Sequence, residues 1–194
     1  MKKRPLRDPG ASAGAEPVAL DRVDRRILNL LQEDNQITNL ALAAAIGISP
    51  PPCLRRVRRL RESGVILRDV ALVDRSKVGR NLMVFASITL ERQREDLLAN
   101  FERKMVAQPE VMQCYFVSGD ADYLVVVNVP DMEAYNAFAR RVFANEPNIR
   151  MFRSSFALSV VKYDTKIALD EEPEAAALGT PVANPARRKV GPGR

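Results

Sequence analysis

The 194-residue sequence has a formal net charge of +6 and a pI of about 9.6, which favours an anionic partner. It contains no histidine and neither of the phosphate-binding motifs GxxxxGKS/T and GxGxxG, so we expect no enzyme, no metal site and no cofactor. No apolar run reaches the roughly 18 residues of a membrane span and no secretory signal opens the chain, so we expect a cytoplasmic protein without a membrane partner.

The chain opens without helical or strand periodicity. Residues 1–17 are rich in Pro, Gly, Ala and charge, which predicts a disordered leader. A helix is predicted from Asp21, whose carboxylate can cap it, to Asp34. It completes the three-helix core that a helix-turn-helix needs. Its apolar side consists of Val23, Ile27, Leu28, Leu30 and Leu31.

The next stretch carries the signals of two helices joined by a tight turn. Thr38 can cap the first helix, and Gly47 stands where the chain must turn, since glycine accepts left-handed dihedral angles. Ser49 is a natural N-cap for the second helix, where prolines follow at once. These signals predict a helix-turn-helix over about residues 39–62, within a winged DNA-binding domain of residues 18–74.

The second of these helices has an apolar side and a basic side. Five arginines and no acid lie between Arg55 and Arg61. A solvated helix normally mixes its charges to avoid repulsion, and phosphate binding removes that repulsion. Arginine also suits guanine edges in the major groove of duplex DNA. We interpret this helix as a DNA-recognition helix; from charge alone, a basic surface helix is the alternative. Its apolar side consists of Cys53, Leu54, Val57 and Leu60.

The expected DNA contacts lie at the starts of the two helices and along the basic side. They are Thr38, Asn39, Ser49, Pro51, Pro52, Arg55, Arg56, Arg58 and Arg59. Behind the recognition helix, residues 65–74 alternate between apolar and polar and predict a wing strand. Residues 75–80 are interpreted as a linker.

The second half of the chain changes its periodicity. Strands and helices are predicted in the order β-α-β-β-α-β, which is typical of a ferredoxin-like α+β domain with one antiparallel sheet and two helices on one face. We assign residues 81–169 to this domain and interpret residues 170–194 as a disordered tail. The predicted strands cover residues 81–90, 112–118, 122–129 and 150–163, and the helices cover residues 95–107 and the stretch from 130 to about 147.

One face of this sheet has no predicted cover. The run from Leu124 to Val127 is continuously apolar, so the bare face would expose a large apolar patch in a monomer. We therefore expect it to pack against a second copy. A dimer would also set two recognition helices about 34 Å apart, which is one turn of DNA.

A short turn between two of the strands carries two carboxylates, Asp120 and Asp122. Such a turn can meet the α-amino group of a ligand by charge, while backbone N–H groups take its carboxylate. It can equally be a capped β-turn in which Asp120 satisfies only local backbone. From the residues alone the two interpretations stand about level. The pair could also hold a cation, but no third ligand is evident nearby.

Three segments together resemble the Lrp/AsnC family of bacterial regulators. They are LDRVDRRILNLLQEDNQITNLALAAAIGISPPPCLRRVRRLRESGVI, VSGDADYLVVVNVPDMEAYNAF and SSFALSVVKYDTKIAL. The resemblance covers residues 19–169, and SGDADYL is closest to the leucine-responsive branch. It implies a winged helix-turn-helix joined to an α/β domain that binds small effectors, usually amino acids, and assembles dimers into tetramers or octamers. Arg68-Asp69 departs from the family, which often has a Gly-aromatic pair there.

The resemblance also implies an effector site at the contact between dimers. The residues that it assigns to this site are Ser118, Gly119, Asp120, Asp122, Tyr123 and Ser154. The sequence therefore predicts a sequence-specific, nucleoid-associated transcriptional regulator that binds double-stranded DNA and is tuned by an amino acid. The alternatives are a small-molecule sensor and an architectural DNA-binding protein without ligand-gated regulation.

Overall fold

The computed structural model describes residues 18–170 and divides them into two compact units. The helical unit contains residues 18–69 and 165–170, and the sheet unit contains residues 70–164. The leader and the tail beyond residue 170 lie outside the described residues. Within residues 18–170, every helix is too short or too polar to span a lipid bilayer.

Three helices form the helical unit, as the sequence predicts. They are α1 (Arg22–Glu33), α2 (Asn39–Ile46) and α3 (Pro50–Glu62). One cluster of apolar side chains joins all three helices, and its buried members are almost inaccessible to solvent. Its buried members are Ile27, Leu28, Leu42, Ala43, Ile46, Cys53, Val57 and Leu60.

Local capping fixes where these helices begin and end. Asp21 accepts a hydrogen bond from the backbone N–H of Asp24, and the Asp24 side chain accepts one from the Asp21 N–H, so the two form a capping box. Thr38 Oγ1 accepts from the N–H of Ala41 at 3.2 Å. Gly47 ends α2 with φ at +77°, a left-handed conformation that glycine adopts without a steric penalty.

Two expectations for this unit are wrong. Leu54 does not join the buried side of α3, because its side chain is 40% exposed. Residues 65–74 form no wing strand. The chain after α3 folds back through a bond from the Ile66 N–H to the Leu60 carbonyl, so Val65 and Ile66 pack on the helical core instead of pairing with a strand.

The sheet unit confirms the ferredoxin-like topology. Its four strands are antiparallel in the order β2-β3-β1-β4, with the helices on one face. A π-helical turn at Arg140–Ala144 extends the last helix. The elements are β1 (Leu82–Leu90), α4 (Glu95–Ala107), β2 (Val111–Phe116), β3 (Tyr123–Val129), α5 (Met132–Ala139) and β4 (Ile149–Phe156).

The last strand is shorter than the predicted 150–163. β4 is an edge strand that pairs only with β1, and their register runs out where Val84 meets Phe156. One more bond, from the Ala157 N–H to the Met83 carbonyl, closes the ladder. Residues 165–169, which the sequence places in the α/β domain, belong instead to the helical unit, because Leu169 packs against its core.

The two faces of the sheet differ in exposure. The helix-covered face is dry, with Tyr123, Val125 and Val127 of β3 at most 1% exposed. On the other face Phe85 is 44% and Leu124 is 41% exposed. The sheet thus has one buried layer and a second face that is open at Phe85 and Leu124, in part as the sequence predicts. Met83 and Val126 on that second face are each 8% exposed and border a cleft with Ala157 and residues 159–164.

Candidate nucleic-acid interface and effector loop

The turn between α2 and α3 is held by side-chain as well as backbone bonds. Asn39 Nδ2 donates to the Pro50 carbonyl at 2.9 Å, which ties the start of α2 to the start of α3. Ile48 N–H donates to the Ala43 carbonyl across the turn. Ser49 is the N-cap residue of α3, although its side chain makes no capping bond. The angle between the two helices is therefore set by Asn39 and Gly47 together.

Several predicted DNA contacts lie on one exposed surface. Thr38, Ser49, Pro51, Arg55 and Arg58 are exposed, and Pro52 is half-buried. These residues occupy the start of α2, the turn and the outer side of α3, which is the arrangement that lets a recognition helix approach a groove.

Arg56 and Arg59 have different surroundings. Arg56 Nη1 donates to Asp21 Oδ2 at 2.6 Å and to Asp24 Oδ1 at 2.9 Å, and Arg59 forms an ion pair with Asp24. Asp24 is only 1% exposed. These four residues, here called the Asp–Arg cluster, join the N-terminal turn of α1 to the middle of α3. With Arg61, which pairs with Asp69 at 3.1 Å, three of the five arginines are thus engaged within the protein.

Contacts within the Asp–Arg cluster shift the pKa values of Asp21 and Arg56. Burial alone would raise the pKa of Asp21, but hydrogen bonds from the Asp24 N–H and from Arg56 hold that pKa below the ordinary value of 3.8. Hydrogen bonds to Asp21 and Asp24 raise the pKa of Arg56. A carboxylate with a lowered folded pKa contributes stability above its unfolded pKa. The contribution of Asp21 is therefore present at neutral pH and is lost as the pH falls from 3.8 through the lower folded value.

The role of Asp24 as the partner of Arg56 and Arg59 was not predicted from the sequence. A signal was available, because Asp24 stands three and four residues before Ile27 and Leu28 and so shares their buried side. A carboxylate in that position requires a cationic partner.

The predicted effector loop is a four-residue hairpin connection. The Val117 N–H donates to the Asp122 carbonyl at 2.9 Å and closes the loop. Gly119 has φ at +125°, in the region that favours glycine. Ser118, Gly119 and Asp120 are exposed. The hydroxyl of Ser118, the carboxylate of Asp120 and the Gly119 backbone therefore lie on a surface open to a ligand.

Asp122 supports the fold beside this loop. It is 8% exposed. Its Oδ2 accepts from the Leu90 N–H at 2.6 Å, and its Oδ1 accepts from Gln93 Nε2 at 2.5 Å. Both carboxylate oxygens are engaged, so Asp122 ties the end of β1 to the start of β3.

Tyr123 is a core residue in this structure. Its ring lies 4.7 Å from that of Phe101 and 5.1 Å from that of Phe116, measured between centroids. Its hydroxyl donates to Glu102 Oε1 at 2.8 Å. Burial and this bond raise the pKa of Tyr123. Burial, with Glu102 nearby, also raises the pKa of Cys114 to about 11, so that thiol is protonated at neutral pH.

Ser154 lies apart from the loop within one protomer. It stands on β4 opposite Ala86 of β1, while Tyr123 pairs with Ile88 from the other side of that strand. Its hydroxyl is hydrogen-bonded to that of Tyr135 on α5. One chain therefore does not bring Ser154 together with Ser118–Asp120. Among residues 18–170, no three His, Cys, Asp or Glu side chains cluster in a way that could hold a metal ion.

The comparisons with known proteins match both units. Residues 20–66 match the family described as winged helix-turn-helix DNA-binding, and residues 83–167 match the Lrp/AsnC ligand binding domain. The fold and the exposed basic helix thus define a DNA-binding transcriptional regulator with a ligand-binding domain. More particularly, the chain belongs to the Lrp/AsnC family, whose members are transcriptional regulators.

Named relatives agree with this assignment. The leucine-responsive regulatory protein of Escherichia coli K12 is 37% identical over 168 residues, which cover 87% of this chain and 96% of the relative. An AsnC family regulator from Agrobacterium tumefaciens has a TM-score of 0.74 at 42% identity, covering 77% of this chain and 97% of its own. A regulator from Neisseria meningitidis in complex with L-Met has a TM-score of 0.75 at 31% identity, covering 78% and 98%.

Proposed function

We propose that this regulator reads DNA with the outer side of α3, and that Arg55 and Arg58 make the principal side-chain contacts. The observation that carries the proposal is how the arginines are paired: Arg56 and Arg59 form ion pairs with Asp24, whereas the exposed Arg55 and Arg58 form no hydrogen bond or ion pair among residues 18–170. Arg59 is also exposed, at 51%, but its guanidinium is held by Asp24. Thr38, Ser49 and Pro51 border the same surface. The test is the affinity of Arg55→Ala and Arg58→Ala variants for a duplex selected by the wild-type protein from random sequence.

Both kinds of DNA contact are expected from this surface. Phosphate contacts supply most of the affinity and make it depend on salt, while contacts to base edges supply specificity. Selection of one preferred duplex would support a sequence-specific regulator, which we propose acts on the nucleoid in the cytoplasm. Selection of no preferred sequence would indicate an architectural DNA-binding protein instead.

The exposed hairpin loop is the proposed effector site. Ser118, Gly119 and Asp120 offer a hydroxyl, free backbone and a carboxylate, the groups that suit the two charged ends of an amino acid. The Neisseria relative binds L-Met, which supports an amino acid as the ligand. Asp122 and Tyr123 hold the loop in place from inside the protein. Ser154 would join this site only from another copy of the chain.

Replacing Asp120 with alanine is expected to weaken amino-acid binding about tenfold or more, because a charge-assisted bond to the ligand's amino group is lost. Calorimetry with L-leucine and L-methionine, at equal protein concentration, measures the change. Glu133→Ala removes an exposed acid from α5 and should leave binding unchanged. If neither amino acid binds the wild-type protein, the site does not serve ligands of this class.

The open face of the sheet is the proposed surface for a second copy. Phe85, Tyr115 and Leu124 lie there and are 44%, 51% and 41% exposed. Tyr115 and Leu124 are neighbours in the register of β2 and β3. Such a contiguous apolar surface suits a self-complementary interface between identical protomers. Further association of dimers into tetramers or octamers would place effector loops at the contacts between them.

Leu124→Asp is expected to convert the dimer to a monomer, because it places a charge at the centre of the apolar interface. Sedimentation velocity measures the change in mass. Met132→Asp introduces the same charge at an exposed apolar position on α5, where Met132 is 47% exposed, and should leave the dimer intact. A Leu124→Asp protein that remains dimeric with a native sheet would place the interface elsewhere.

A further inference from the structure

Residues 165–169, here called the C-terminal strap, lie along α1. Gln32 binds the strap backbone through both atoms of its amide: Nε2 donates to the Ile167 carbonyl at 3.0 Å, and Oε1 accepts from the Ile167 N–H at 2.7 Å. Asn29 Nδ2 donates to the Leu169 carbonyl at 2.9 Å. Three bonds thus fix the strap backbone in one register on the helix.

Side chains of the strap add to these bonds. Leu169 is partly buried and packs against the apolar cluster of the helical unit. Lys166 forms an ion pair with Glu33 at the end of α1. The strap is therefore held both by hydrogen bonds to its backbone and by the packing of an apolar side chain.

The strap is nonetheless only partly packed. A cleft of about 400 Å³ lies between it and α1, bordered by Asn29, Leu30 and Glu33. Ile167 is 70% exposed, so its side chain contributes little to the contact. Segments with few buried apolar contacts and exposed backbone bonds open at low cost in free energy. The strap can therefore detach while the three-helix core remains folded.

One helix carries both the strap and the partners of α3. The C-terminal half of α1 binds the strap through Asn29 and Gln32. The N-terminal turn of the same helix holds Arg56 and Arg59 through Asp24. A change in the position of α1 would therefore reach the recognition helix directly.

We propose that Gln32 and Leu169 are positioning residues for DNA recognition: the docked strap fixes α1, and α1 in turn fixes α3. The strap follows β4 of the effector-binding domain after only residues 157–164, so the strap is also the covalent continuation of that domain. The proposal needs the DNA-binding role of the family but no particular effector.

The first test compares Gln32→Ala with Gln36→Ala, in the full-length protein. Gln32→Ala should remove the exchange protection of the Ile167 amide and weaken binding to the selected duplex by about fivefold, the lower end of ordinary coupling between sites. Gln36 is exposed beyond the end of α1, and its replacement should change neither quantity. An Ile167 amide that exchanges freely in the wild-type protein would overturn the proposal.

A second pair of variants separates positioning from stability. Leu169→Asn should weaken DNA binding at a temperature where the helical unit is fully folded by circular dichroism. Leu169→Met, which keeps an apolar side chain at this position, should bind DNA like the wild-type protein. Removal of residues 171–194 should have no such effect, whereas removal of residues 165–194 should reproduce Leu169→Asn. Unchanged DNA affinity after removal of residues 165–194 would overturn the proposal, even where the melting temperature falls.

The proposal for the strap can be wrong while the proposed DNA contacts of α3 are right, and one further variant distinguishes the two cases. Arg58→Ala should weaken DNA binding in the presence or absence of the strap, because Arg58 is proposed to touch DNA itself. Loss of the Arg58→Ala effect would therefore contradict the proposed recognition surface. Loss of the Gln32→Ala and Leu169→Asn effects would contradict only the strap.

Discussion

Replacing Asp24 with asparagine should lower the free energy of unfolding by about 2 kcal/mol, because two arginines lose a buried carboxylate that each contacts directly. The same change should weaken DNA binding about tenfold, since Arg56 and Arg59 would no longer hold α3 against α1. Urea unfolding measures the first effect, and fluorescence anisotropy with the selected duplex measures the second.

Two control variants, each removing a more exposed carboxylate, should have smaller effects than Asp24→Asn. Asp21 pairs with one arginine, Arg56, where Asp24 pairs with two, and it is 52% exposed, so Asp21→Asn should have a smaller effect on both quantities. Asp69 pairs with Arg61 on the surface, and Asp69→Asn should be nearly neutral. If Asp24→Asn melts and binds DNA like the wild-type protein, the Asp–Arg cluster does not support the recognition helix.

Replacing Arg55 or Arg58 with alanine should weaken DNA binding by about 1 to 3 kcal/mol each, without loss of stability. Both side chains are exposed on α3, so their removal breaks no hydrogen bond or ion pair among residues 18–170. An arginine that binds phosphate should also lower the slope of log affinity against log salt by about 1, whereas one that binds a base should relax specificity at one position.

Arg103→Ala is the matched control, since it removes an exposed arginine from α4 in the other unit. Arg59→Ala provides the contrast within α3, because it should reduce stability as well as affinity. The proposed recognition surface is contradicted if Arg55→Ala and Arg58→Ala bind the selected duplex like the wild-type protein at equal salt.

The helices and sheet order follow from local and periodic features of the sequence. Thr38, Gly47 and the prolines after Ser49 act within a few residues of themselves, so the helix-turn-helix could be placed closely. The β-α-β-β-α-β order supplies helices for only one face of the sheet, so it likewise predicted exposed apolar residues on the other face.

The partners of the arginines could not be assigned in the same way. Asp24 and Arg59 are 35 residues apart, and their contact depends on how α1 crosses α3. The length of β4 also depended on a neighbour, because its ladder ends where β1 begins, although residues 157–163 have strand-like composition. Asp122 and Tyr123 carry chemistry suited to a ligand, yet tertiary packing uses both within the fold.

The arginines of α3 that pair within the protein differ from those that do not in how freely they can change during evolution. Arg56 and Arg59 are bound to the scaffold, so most replacements there would harm folding. Arg55 and Arg58 are exposed and do not support the fold, so they can be replaced without loss of stability. Duplicated copies of this gene could therefore acquire new target sites by altering two positions on one turn of helix, while the remainder of the protein stays intact.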